Sequence, residues 1–116
     1  MRFEELGELQ LSILAVLWQA GPSSVRDVVT ALSQDRTVAY TTALTVLRTL
    51  ERRGLVAHQC ENGSRMFRYS ALITRDDVRN ELLGDLIEKL FDGSPTLLFQ
   101  HMLQQGWLHD SASDLE

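Results

Sequence analysis

TVAYTTALTVLRTLERRG, residues 37–54, decides the fold. At about 100° per residue it reads as one helix, with Ala39, Ala43, Val46, Leu47 and Leu50 on a core-facing side. The opposite side carries Thr41, Thr45, Arg48 and Arg52, flanked by Thr42 and Thr49. Glu and Lys ordinarily fill an exposed helix surface, because they form helix well and keep it soluble. Thr in their place gives up some helix propensity. It offers a hydroxyl to a phosphate or base edge and a methyl to thymine, while Arg reaches phosphate or guanine. The plainer alternative is a short polar helix packed in a small domain.

Upstream, Leu6, Leu9, Ile13, Val16 and Leu17 recur at helical spacing with Trp18 beside them, and Gly21-Pro22 ends that helix. Ser24 with Asp27 is a capping box for a second helix, whose stripe is Val25, Val28, Val29 and Leu32. Gly54, after Arg52-Arg53, closes the third. Downstream, LVAHQC and RMFRYSA flank Asn62-Gly63, a strong signal for a hairpin. A tight turn there pairs Cys60 with Arg65, His58 with Phe67 and Val56 with Tyr69. Val56, Phe67 and Tyr69 then share a face toward the helices, and Arg65 and Arg68 lie along the second strand near the tip. Three helices and a hairpin make a winged helix-turn-helix, mainly α with a small β-hairpin wing, whose third helix enters a major groove.

The style changes at Thr74, which forms a capping box with Asp77. The helix behind it carries Leu82, Leu86, Leu90 and Phe91 among its apolar residues. After the Asp92-Gly93 break, Ser94-Pro95 starts another with Leu98, Phe99 and Met102. Two helices alone cannot bury so much apolar surface, so a homodimer through these residues is expected over a fold-back onto the first domain. The expected division is residues 1–73 for the winged helix and 74–116 for a helical dimerisation domain, with 107–116 either disordered or an incomplete last helix.

Charge is divided in the same way. The net charge of −5 argues against nucleic acid, yet Arg36, Arg48, Arg52, Arg53, Arg65 and Arg68 cluster in the middle of the chain, and acids dominate from Thr74 onward. The chain of 116 residues is long enough for a core. Its longest apolar run, Ile13 to Trp18, is too short to span a bilayer, and no leader pattern opens it. Cys60, the single cysteine, cannot form an internal disulfide, so a cytoplasmic location is expected. His58, His101 and His109 show no metal-ligand spacing, and no phosphate loop or nucleophile elbow appears. Neither cofactor, metal nor catalysis is expected.

LGELQLSILAVLW, AYTTALTVLRTLERRGLV and the strand MFRYSAL together resemble the BlaI/MecI family of bacterial repressors, also called penicillinase repressors. The resemblance spans Leu6 to about Leu103. It implies a homodimer on an inverted-repeat DNA operator, with Thr41, Thr42 and Thr45 as recognition-helix contacts and Arg65 and Arg68 as wing contacts. It also implies control of β-lactam resistance genes and release when a regulatory protease cuts the dimerisation domain. Staphylococcal members are cut between Asn and Phe; the corresponding pair here is Gln100-His101, and the family's last helix scarcely begins. Two other functions compete: a winged-helix protein-interaction module and a ligand-sensing regulator. The Thr/Arg face suits DNA better than a protein partner needing apolar anchors.

Overall fold

The computed structural model describes residues 6–60, 62–63 and 65–108. Its elements in chain order are α1 (Glu8–Ala20), α2 (Val25–Leu32), α3 (Tyr40–Arg52), β1 (Val56–Cys60), β2 (Phe67–Ala71), α4 (Arg75–Leu90) and α5 (Pro95–Gln104). The expected fold class, a winged helix-turn-helix followed by two helices, is the one observed.

Caps set the boundaries. Ser24 Oγ accepts from the Asp27 N–H at 3.1 Å while the Asp27 carboxylate accepts from the Ser24 N–H at 3.1 Å. Thr74 and Asp77 repeat this reciprocal box at α4, and Ser94 caps α5 with Pro95 at its first position. Pro costs nothing there because that N–H has no intrahelical acceptor. The end of α3 is a Schellman motif: Leu55 N–H reaches Leu50 O at 3.0 Å and Gly54 N–H reaches Glu51 O at 2.9 Å. Gly54 makes the required left-handed turn at φ 79°.

The core lies where α1, α2 and α3 meet beneath the hairpin. Ile13, Leu14, Val28, Ala43, Leu47 and Leu50 are each 0% exposed, and Tyr69 is 2% exposed. Burying a side chain of this size stabilises by roughly 1.5–3 kcal/mol. Leu14 belongs to this core although it falls outside the stripe read from the spacing of Leu6, Leu9, Ile13, Val16 and Leu17.

Two local expectations need correction. The recognition-type helix starts at Tyr40, not Thr37, and Ala39 is its exposed N-cap residue instead of a core residue. Thr37 and Val38 are β-branched and stay outside the helix, where Val38 buries its side chain. The hairpin register also differs by two residues: Cys60 pairs with Phe67, His58 with Tyr69 and Val56 with Ala71. Asn62 and Gly63 take the expected left-handed conformations, φ 36° and 79°, but Arg65 and Met66 stay outside the ladder. The observed register sets bulky Val56 opposite small Ala71, leaving Tyr69 room in the core. An even shift keeps every residue on its expected face, yet Phe67 remains 41% exposed near the tip, beside His58, and is not part of the core.

α4 and α5 lead away from this core. Val78 is buried and Leu82 half-buried against it, while no residue of α5 is buried. Phe91, His101 and Trp107 form an aromatic chain, with centroids 5.6 Å apart for the first pair and 5.7 Å for the second. Of the tail 107–116, Trp107 and Leu108 are described; the expected disorder or last helix in 109–116 lies outside the described residues.

Gly54→Ala should lower stability by about 1–2 kcal/mol, although a Cβ there would meet nothing within 4 Å. Urea unfolding measures this, and an unchanged midpoint would show that the left-handed turn carries no strain.

Candidate nucleic-acid interface

Burial of Ala43, Leu47 and Leu50 turns the other side of α3 outward, and Thr41, Thr42, Thr45, Arg48 and Arg52 are all exposed there. Thr45 and its half-buried neighbour Thr49 are tied to the helix. Thr45 Oγ1 donates to Thr41 O at 2.9 Å, and Thr49 Oγ1 donates to Thr45 O at 3.0 Å. Arg52 Nη2 donates to Thr49 Oγ1 at 3.1 Å. Such back-bonding uses each hydroxyl hydrogen inside the helix and leaves its oxygen as an acceptor. A group meeting Thr45 therefore finds an acceptor oxygen and a methyl.

The wing is held to the helices by main chain. Ser23 N–H donates to Tyr69 O at 3.0 Å and Tyr69 N–H to Ser23 O at 2.8 Å, which joins β2 to the turn before α2. His58 Nδ1 lies 2.7 Å from a Glu51 carboxylate oxygen and its ring stacks near Phe67 at 4.4 Å. The last turn of α3 is thus tied to β1. Burial, then the Glu51 carboxylate, push the Tyr69 phenol up, while the nearby Arg48 guanidinium pulls the other way. The phenol stays neutral.

An open cleft of about 640 Å³ runs between the start of α2, one flank of α3 and β2. Arg26, Tyr40, Leu44, Arg48, Arg65 and Arg68 are among its walls, and Arg48 belongs to both the cleft and the outward Thr stripe. Arg26 and Tyr40 were not among the expected site residues. Tyr40 is 52% exposed at the first turn of α3, and its place inside the AYTT pattern is the signal that could have found it. Arg65 is exposed before β2 begins instead of lying on it.

Arg68 is less available than its sequence position suggests. Its guanidinium lies 3.6 Å from the Asp27 carboxylate. Arg36, counted in the basic middle of the chain, pairs with Glu8. The Ser24 backbone N–H holds the Asp27 carboxyl below its ordinary range; burial opposes this, and the Ser24 hydroxyl and Arg68 reinforce it.

Farther along the chain, Leu86, Leu90 and Phe99 are 38%, 69% and 52% exposed. Leu82, Phe91, Leu98 and Met102 are half-buried. Gln100 is exposed, while His101 sits between Phe91 and Trp107. Among the described residues no group of His, Cys, Asp or Glu gathers as metal ligands, and no helix is long and apolar enough to cross a membrane.

The family model described as penicillinase repressor matches residues 6–116. The chain is 32% identical over 106 residues to a transcriptional regulator, BlaI, from Mycobacterium tuberculosis, covering 90% of this chain and 75% of that one. It is also similar to the Bacillus licheniformis BlaI monomer solved with the blaP half-operator. That likeness has a TM-score of 0.53 at 26% identity, over 63% of this chain and 87% of the other. The fold of the whole chain resembles Streptococcus pneumoniae FabT, with a TM-score of 0.56 at 20% identity, over 100% of this chain and 82% of that chain.

Because the Asp27 carboxyl is held low in the folded state, it stabilises above the ordinary aspartate pKa, and that gain is lost as pH falls through the folded value. Asp27→Asn should therefore lower the melting temperature at neutral pH, and the gap should close below about pH 4. A gap that persists unchanged in acid would exclude the carboxylate as its source.

Proposed function

The chain belongs to the penicillinase repressor family, and on that premise we propose that it is a dimeric transcriptional repressor of an inverted-repeat operator. The observation that carries this is the outward side of α3, where Thr41, Thr42, Thr45, Arg48 and Arg52 stand exposed on a helix fixed by its buried face. The Bacillus licheniformis relative in complex with a half-operator supports a DNA ligand. Thr45 reads a base edge or a thymine methyl, and Arg48, Arg52 and Arg65 neutralise phosphate. Arg68 joins the wing contacts by exchanging Asp27 for the backbone of DNA. Tyr40 and Arg26 extend the same surface.

Residues 74–116 serve as the dimerisation domain. Leu83, Leu86, Leu90, Leu97, Phe99 and Leu103 are 43%, 38%, 69%, 40%, 52% and 49% exposed in the isolated chain, more apolar surface than a monomer ordinarily leaves in water. A second copy covers it and supplies the second recognition helix, one DNA turn or about 34–36 Å away. Weakening that interface releases the operator without altering a DNA contact, because each half alone binds modestly. α5 is the element to cut or loosen, since it is short and buries no residue of its own. Gln100-His101 departs from the Asn-Phe pair of the staphylococcal members, so the bond cut in response to a β-lactam, or the release signal itself, differs here.

Losing the Thr45 contact should cost about 1–3 kcal/mol and relax specificity at one base position. Arg52→Ala should weaken all sequences alike and lower the salt slope by about one. Operator titrations across salt concentrations measure both, and parental binding by both variants would mean that α3 presents another face. Leu86→Asp or Leu90→Asp should split the dimer and abolish operator binding together. Sedimentation of the parent as a stable monomer at micromolar concentration would contradict the dimer. Derepression after β-lactam exposure with every chain intact by mass would contradict release by cleavage.

A further inference from the structure

The attachment of α4 rests on a small set of contacts. Trp18 Nε1–H, from α1, donates to Ile73 O at 2.9 Å, across 55 residues of chain. The Arg75 guanidinium lies over the Trp18 ring, 5.6 Å from its centroid. Ile73 is the last residue but one before α4, and Arg75 is its first. Beyond this point, among the described residues, α4 touches the core through Val78 and Leu82, within its first two turns. Leu83, Leu86 and Leu90 face outward. An open cleft of about 440 Å³ lies alongside, walled by Trp18, Pro22, Ile73 and Arg75 among others, and the strand end is held by Leu72 N–H donating to Leu55 O at 2.8 Å and by Ile73 packing on the core.

We propose that Trp18 is a positioning residue: its hydrogen bond to Ile73 O and its contact with Arg75 fix the direction in which α4 leaves the winged helix. In the dimer this direction sets the distance between the two recognition helices. The inference rests on the dimeric-repressor function proposed above. Leverage makes it matter. α4 has 16 residues, a lever of about 24 Å. A swing of about 10° at its base displaces the far end of that lever by about 4 Å, more than the ~3.4 Å between successive base pairs. The indole N–H is suited to this task, since it is a donor with one direction and its carbonyl acceptor belongs to the chain that must be aimed. Phe would keep an aromatic ring there, smaller than the indole, without the donor that gives the aim.

The test compares the full-length parent, Trp18→Phe and Arg75→Gln on a single half-site and on inverted repeats whose spacer is lengthened or shortened by single base pairs. The parent should prefer one spacing sharply. Trp18→Phe should keep its half-site affinity and its dimer, lose about fivefold at the preferred spacing, and respond less to spacer changes. Arg75→Gln should shift in the same direction and serves if Trp18→Phe folds poorly. Variants with the parent's spacing profile overturn the proposal. A second readout needs neither DNA nor a dimer: spin labels at Ala15→Cys and Glu88→Cys in a Cys60→Ser background, diluted with unlabelled chains. The distance distribution within one chain should be narrow with Trp18 and broader with Phe; equal widths overturn the clamp. A monomeric parent whose distribution still broadens with Phe upholds the clamp and overturns the dimer.

Discussion

The packing of one narrow face of α3 is the constraint on which everything else depends. Ala43, Leu47 and Leu50 are fully buried against α1 and α2, so the helix cannot rotate about its axis without exposing a leucine. Exposing a buried leucine costs about 1.5–3 kcal/mol. The threonines and arginines opposite are consequently presented on one side, where Thr45 and Thr49 are bonded back to the helix carbonyls and Arg52 to Thr49 before any ligand arrives. Such preorganisation reduces the entropy lost on binding. The Schellman end at Gly54 then turns the chain straight into β1, and the Ser23–Tyr69 bridge holds the wing beside the same face.

Electrostatics act at this local scale. A net charge of −5 would repel DNA if spread evenly, but screening confines each charge's influence to about 10 Å at moderate salt. Arg48, Arg52 and Arg65 are exposed around α3 and the wing, whereas the acids of α4 lie on another element. Asp27 qualifies the picture, because it completes a helix cap and also stands 3.6 Å from Arg68. One carboxylate therefore couples the stability of α2 to the readiness of a wing arginine.

Much of the fold was legible because its signals are local. Ser24 with Asp27, Thr74 with Asp77, Pro95 and Gly54 each act within a few residues, and the structure uses every one of them. The hairpin register was not legible, since it depends on Tyr69 fitting a core built from other elements and on its pairing with Ser23. The start of α3 escaped for a similar reason: Val38 gains more from tertiary burial than from extending the helix. At the interface, the exposed threonine stripe could be read from periodicity. The Arg68–Asp27 pair, the cleft wall at Arg26 and Tyr40, and the Trp18–Ile73 bond join residues distant in sequence, and no spacing rule reaches them.

If α3 of two copies enters adjacent major grooves, methylation protection of guanine N7 on a DNA fragment selected by the protein will register it. N7 lies in the major groove. The account predicts protection in two clusters related by the symmetry of an inverted repeat and about one helical turn apart. A single protected cluster, or no N7 protection on a fragment that the protein binds, would contradict it.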